Sequence, residues 1–184
     1  RLYQFRRGLE RASRVIAVSN ATRRDIEDLF GIQPAKIVRI YNAPDPRFLD
    51  GGPPPEAERA LLMERYQIHY PFLLYTGTIR RQKNIPRLVE AFAVLRGDLE
   101  NHPAYRELRL IIIGDEISRH PEVRRTVIQT RMQPFVRFLG FVPFETLRTL
   151  YSAAAAFVFP SLYEGFGLPP LEAMASGTPV VTSN

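Results

Sequence analysis

The chain has 184 residues, 45% of them apolar, enough for one packed domain or for one domain with part of a neighbour. No apolar run approaches the roughly 20 residues that span a bilayer, and no secretory leader pattern is visible, so a cytoplasmic location is expected. The absence of cysteine excludes disulfides, zinc-thiolate centres and cysteine nucleophiles, and the excess of 25 Lys and Arg over 19 Asp and Glu, a net +6, suits partners that carry phosphate, nucleic acid or anionic lipid.

Part of that excess is local: Arg1, Arg6, Arg7, Arg11, Arg14, Arg23 and Arg24 fall in the first 24 residues. They form a solvated or domain-facing basic surface, the alternative being contact with a membrane or an acidic partner. The chain opens inside a helical pattern and reads as a fragment.

In chain order, a short strand is predicted in 14–20, "RVIAVSN". A helix follows, with Ile26, Leu29 and Phe30 at i, i+3, i+4 spacing, Ser19 or Asn20 as its N-cap and Gly31 as its stop. A second strand lies in 36–44. The stretch 42–58, "NAPDPRFLDGGPPPEAE", is too rich in glycine and proline for a helix or a central strand and reads as a linker. Beyond it, strand signals recur at 72–78, 108–115, 135–141, 155–161 and 179–183. Helical spacing between them includes Leu88, Phe92 and Leu95 after a cap at Asn84, and Leu147 and Leu150 after Pro143. Nearly continuous apolar strands alternating with helices predict an open, mostly parallel α/β sheet with helices on both faces, Rossmann-like in plan.

Ligands of such sheets bind at the carboxyl ends of the strands. The loop 76–84, "TGTIRRQKN", offers Gly77 for a tight turn and a cluster of Arg80, Arg81 and Lys83 before a helix start. This suits a diphosphate, or else is a solvated basic loop. It lacks the spacing of a P-loop. The loop 114–122 opens with Gly114 and Asp115, which face a ligand or simply mark a strand exit. At 140–145, Gly140, Phe141 and Val142 offer backbone groups and a flat surface for a base, or ordinary packing.

The fourth loop is "SLYEGFGLPPLEAMASGTPVV", 161–181. Pro169 and Pro170 fit the first turn of a helix that Gly177 stops. The amides of Phe166, Gly167 and Leu168 then stand at the positive end of the helix dipole, where an anion binds. Glu164 and Glu172 suit pairs of sugar hydroxyls. The plainer reading has Glu172 complementing the dipole and Glu164 solvated. A ligand with both a diphosphate and polyols reconciles amides with carboxylates, which describes a nucleotide sugar. His69, His102 and His120 lack metal-ligand spacing, and no serine elbow, dinucleotide fingerprint or nucleic-acid motif is present.

At these residues the chain resembles the retaining glycosyltransferases of family 4, with the two-domain GT-B fold. "EGFGLPPLE" matches their E-x(7)-E motif, and "EAMASGTPVV" is its usual continuation. "VIAVSNATRRDIEDLFGIQPAKIVRIYNAPD" is similar to the end of the N-terminal domain, and "LLYTGTIRRQKNIPRLVEAF" to the start of the C-terminal one. The resemblance implies residues 1–44 as the end of the acceptor domain and crossover, 45–58 as the linker, and 59–184 as an incomplete donor-binding domain. It also implies that Glu164 and the amides of Phe166, Gly167 and Leu168 meet the donor sugar and its phosphate. Glu172 would bind the ribose, and Phe141 and Val142 would line the base pocket. Lys83 with Arg80 or Arg81 would hold the diphosphate beside Gly77, in place of a metal. The family often carries an arginine directly after the glycine, or an Arg-Lys-Asn triplet; here Thr78 and Gln82 stand in those places, which leaves open which arginine reaches the phosphates.

The implied activity is hexose transfer with retention from a nucleotide sugar, GDP-mannose or else a UDP-sugar, to a saccharide or lipid-linked acceptor. No metal or other cofactor and no nucleic acid is expected to take part; a peripheral membrane contact is compatible with the resemblance. The fragment is expected to bind donor without turnover. The alternatives are a sugar-nucleotide epimerase of the same fold and a binding module without catalysis.

Overall fold

The computed structural model describes residues 2–49 and 52–183. Asp50 and Gly51 of the linker, Arg1 of the basic segment and Asn184 lie outside the described residues. The chain divides into two compact units, Arg1–Ala43 with Glu164–Leu168, and Pro44–Tyr163 with Pro169–Asn184.

The first unit contains α1 (Leu2–Arg11), β1 (Val15–Ala17), α2 (Asn20–Phe30) and β2 (Ile37–Arg39). The two strands pair in parallel, Val15 opposite Ile37. Ser19 caps α2, its hydroxyl accepting the Thr22 amide at 3.0 Å. Gly31 ends the helix in the left-handed conformation at φ 65°, as the sequence expects of a glycine stop. The core is small: Val15, Ala17, Ile26, Ile32 and Ile37. Here the expected burial is only half realised. Ile16 and Val38 are exposed on the far face of the strands, and Leu29 is 72% exposed, so the apolar stripe of α2 narrows to Ile26 with Phe30 at its margin. The strands are only three residues long, and Leu9 of α1 and Phe30 of α2 pack against the small core between them.

The second unit contains α3 (Pro46–Leu49), α4 (Glu56–Arg65), β3 (Phe72–Thr76), α5 (Ile85–Asp98), β4 (Arg109–Ile113), α6 (Pro121–Gln129), β5 (Val136–Gly140), α7 (Phe144–Ala153), β6 (Ala156–Phe159), α8 (Leu168–Ala175) and β7 (Val180–Thr182). The first residue of α8 groups with the other unit. All ladders are parallel, in the order β5-β4-β3-β6-β7. The chain therefore builds outward from β3 through β4 to β5, then returns to place β6 on the other side of β3. That reversal is a topological switch point, the place where open α/β sheets bind ligands. Leu74 and Tyr75 of β3, Leu110, Ile111 and Ile112 of β4, and Phe157 of β6 are buried at the centre. Their continuous apolar character is what a sheet covered on both faces requires.

The linker departs from expectation. Its composition predicts no helix, yet α3 lies within it and α4 starts at Glu56. Pro46 opens α3, where a missing N–H costs nothing, and the Asp45 carboxylate accepts the Arg47 amide at 2.9 Å. Phe48 then anchors the turn. It is 4% exposed, with its ring 4.8 Å from Phe144 and 5.7 Å from Tyr151.

Candidate functional site

Three glycines stand at the exits of β3, β4 and β5: Gly77 (φ 140°), Gly114 (φ 148°) and Gly140 (φ 68°). They extend the ladder past the strands. The Gly77 amide donates to the Ile113 carbonyl at 3.0 Å, and the Gly114 amide to the Gly140 carbonyl at 3.1 Å. The closest approach is at Gly114, where a Cβ would lie 2.0 Å from the Gly77 carbonyl oxygen. The Asp115 carboxylate accepts the Ile79 amide at 2.8 Å. Gly114 and Asp115 thus fasten the basic loop to the sheet.

Within that loop, Arg80 is extended and Arg81–Lys83 form a 3-10 turn. The Lys83 ammonium stands 4.8 Å from the centre of the Phe159 ring, at the end of β6. Exposed Arg80 and Arg81 line a cavity of about 400 Å³ with Asn84, Glu122 and Leu162. The cap expected from Asn84 is not a side-chain cap. Asn84 adopts a left-handed conformation, φ 57° and ψ 35°, and its side chain makes no capping hydrogen bond. Such backbone is accessible to asparagine and turns the chain sharply into α5. The Leu162 amide donates to the Gln82 carbonyl at 2.7 Å and ties the loops after β3 and β6 together at the switch point.

At the end of β5 the register slips, Ile112 pairing with Phe138 but Ile113 with Gly140. One residue is left over, as in a bulge, and the chain turns out of the sheet. Phe141, just beyond, is 80% exposed, while Val142 is half-buried against the core.

The stretch between the two glutamates falls in both units. Glu164, Phe166, Gly167 and Leu168 belong to the first. There the Gly165 carbonyl accepts the Thr22 hydroxyl at 3.1 Å, and the Phe166 ring lies 6.0 Å from Tyr41. Gly167 has φ 90°, and Pro169 and Pro170 occupy the first turn of α8 as expected. Glu172 belongs to the second unit, on α8. Its Oε2 accepts the Tyr151 hydroxyl at 3.0 Å, and that hydroxyl is 2.7 Å from Thr76 Oγ1 at the end of β3.

Burial pushes the Glu172 carboxyl above its usual range; the Tyr151 hydrogen bond opposes the shift and the charge of Asp45 adds to it. Burial drives the Tyr151 phenol far above its ordinary value, so it stays a proton donor. Asp45 is held down at about 2 by its hydrogen bonds from Arg47, with an ion pair at 2.9 Å.

Sequence reading missed Thr22, Tyr41, Tyr151, Thr76 and Asp45. Only Tyr151 left a signal, since a phenol directly after the apolar Leu147 and Leu150 needs a partner once buried. His69 is exposed, His102 accepts the Ala104 amide, and His120 stands 3.5 Å from Glu122 and 3.8 Å from Asp115. Among the described residues no three acidic, histidine or cysteine side chains gather to hold a metal, and no helix is long and apolar enough to cross a membrane.

The family described as "Glycosyl transferases group 1" matches residues 63–184, and "Glycosyltransferase Family 4" matches residues 1–48. O-antigen chain mannosyltransferase B of Escherichia coli is 36% identical over 177 residues, 96% of this chain and 44% of that protein. Among solved structures, WaaG, a glycosyltransferase involved in lipopolysaccharide biosynthesis, superposes with a TM-score of 0.77 at 20% identity, over 98% of this chain and 49% of WaaG. Anabaena HepE, solved in complex with UDP-glucose, gives a TM-score of 0.75 at 22% identity, over 93% of this chain and 44% of HepE. The chain thus spans a little under half the length of each of these three proteins. The parallel α/β architecture expected from the resemblance is the one it shares with these GT-B enzymes. The chain belongs to the group 1 glycosyl transferases, with the family-4 type of sequence at its amino-terminal end.

Proposed function

We propose that the protein carrying this chain transfers a hexose, with retention of configuration, from a nucleotide sugar to a saccharide or lipid-linked acceptor. GDP-mannose is the favoured donor, in keeping with the O-antigen mannosyltransferases among its relatives. The observation that carries the reading is the E-x(7)-E motif that follows β6 in sequence, in a chain of this family whose parallel sheet reverses its strand order between β3 and β6. Glu172 is assigned to the ribose, Phe141 and Val142 to the base, and Lys83, beside Gly77 and with Arg80 or Arg81, to the diphosphate. Glu164 and the amides of Phe166, Gly167 and Leu168 are assigned to the donor sugar and its phosphate on the motif alone. Lys83 stabilises the charge that develops on the leaving nucleotide, so the site works without a metal. Since the chain is about half the length of its relatives, turnover is proposed for the whole protein and donor binding for these residues.

Titrating GDP-mannose, UDP-glucose and UDP-N-acetylglucosamine into the intact protein by calorimetry tests the reading. Binding of one of them, weakened in Glu172→Ala, supports it; no binding by any removes the donor site. Lys83→Ala is expected to weaken GDP about tenfold or more while leaving guanosine nearly unchanged, because a charge-assisted contact to phosphate is lost. Equal losses for both ligands take Lys83 out of the phosphate role. The anomeric configuration of the product, read by NMR, decides retention.

A further inference from the structure

We propose that Tyr151, braced by Thr76, is a positioning residue that aims the Glu172 carboxylate and so makes the protein select ribonucleotides over their deoxy counterparts. The inference rests on the assignment of Glu172 to the ribose and adds to it the residues that set its orientation.

Tyr151 is fixed from every side. It is fully buried on α7, its ring 5.7 Å from Phe48 and 5.4 Å from Phe157, both edge-on. The Thr178 hydroxyl donates to its carbonyl. Its own hydroxyl has two neighbours, Thr76 Oγ1 at 2.7 Å and Glu172 Oε2 at 3.0 Å. A phenol carries one proton. With Glu172 ionised that proton goes to the carboxylate, so the Thr76 hydroxyl must donate to Tyr151, giving a directed chain from Thr76 through Tyr151 to Glu172. Among the described residues Tyr151 is the only hydrogen-bond donor to the Glu172 side chain, and it engages one oxygen. The second oxygen remains for a ligand hydroxyl. A half-buried glutamate on a helix otherwise samples several rotamers, and this clamp selects one before the ligand arrives.

The same hydrogen bond favours the charged form of Glu172 against its burial. The other charge facing Glu172 is Asp45, which disfavours ionisation and is itself paired with Arg47. Removing the Tyr151 hydroxyl therefore leaves burial and Asp45 unopposed. Nucleotide binding should then fail at a higher pH than in the wild type.

The test uses the intact protein, with GDP and UDP titrated calorimetrically and the tighter ligand carried forward beside its 2′,3′-dideoxy form. Tyr151→Phe keeps the ring and removes the hydroxyl; Thr76→Val removes the brace and serves as a second variant if the first folds poorly. Tyr151→Phe is expected to weaken the ribonucleotide about tenfold, the usual scale of a hydrogen bond to a charged group, and Thr76→Val by less. Neither should change affinity for the dideoxy nucleotide, and the acid limb of ribonucleotide binding should move to higher pH in Tyr151→Phe. If Glu172→Ala weakens the ribonucleotide and Tyr151→Phe does not, the inference falls and the ribose assignment stands. If Tyr151→Phe weakens both nucleotides equally, the hydroxyl is merely structural and the inference also falls. If Glu172→Ala binds the ribonucleotide as well as wild type does, or neither nucleotide binds, the ribose assignment itself is overturned and the inference with it.

Discussion

At the scale of single residues the site is governed by a conflict between burial and charge at Glu172. Its folded-state carboxyl titrates above the reference value of 4.5. Below pH 4.5 both folded and unfolded chains hold the proton. As pH rises from there to the raised value, the unfolded chain releases it first, so the folded state binds more protons and loses stability through that window. Glu172→Gln has no proton to lose. Its melting temperature relative to wild type should therefore rise between pH 4 and pH 7, by thermal denaturation followed with circular dichroism; a constant difference would show that the carboxyl is not raised. Asp45 behaves oppositely. Held at about 2 by Arg47, it contributes stability above its unfolded value of 3.8 that is lost as pH falls towards 2.

At the scale of elements, the glycines at the strand exits determine how closely the loops can approach the sheet. Gly114→Ala would place a Cβ 2.0 Å from the Gly77 carbonyl at a φ of 148°, which side chains rarely adopt. Urea denaturation should show a loss of about 3 kcal/mol or more, from backbone strain and displacement of the β3 loop. Gly165→Ala is the contrast. Its Cβ would meet Thr22 Oγ1 at an ordinary 3.5 Å, and a change within about 0.5 kcal/mol is expected. Phe48→Ala, which empties the wedge between Phe144 and Tyr151, should cost about 3–5 kcal/mol by the same measurement.

The strands after the linker, the proline start of α8 and the glycine stop of α2 were legible because each depends on local chemistry: apolar runs, a fixed φ, a missing Cβ. What could not be read was set at a distance. Thr22 meets Gly165 across 143 positions and Tyr151 meets Glu172 across 21, and no local pattern encodes such pairs. The helix-free linker failed for a different reason, and Asn84 holds the cap position of α5 by its backbone conformation, without a side-chain bond. Composition gives an average tendency, whereas Asn84 was drawn into a left-handed turn and the anchored Phe48 holds α3 despite two prolines nearby.

At the scale of the whole molecule the two units differ in what they bury. Among the described residues the first has five in its buried core, whereas the sheet unit has an extended core reaching from Phe48 to Ala173. A chain of residues 44–184 is expected to unfold cooperatively in urea. Residues 1–43 alone should show no cooperative transition, since so small a core does not offset the entropy of ordering the backbone. A cooperative transition in the short piece would contradict this.

The strand order also dictates a sequence of events. β3 reaches β4 through one intervening helix, but its partner on the other side, β6, arrives only after β4 and β5 have been made. Until then β3 is an open edge, with unpaired backbone and the apolar side chains of a central strand. Non-local parallel pairing is slow, because a long loop must close before any contact rewards it. The switch-point crevice therefore closes only after β3, β4 and β5 have been made, late in synthesis. In that interval the exposed edge of β3 is where a nascent chain would aggregate or recruit a chaperone.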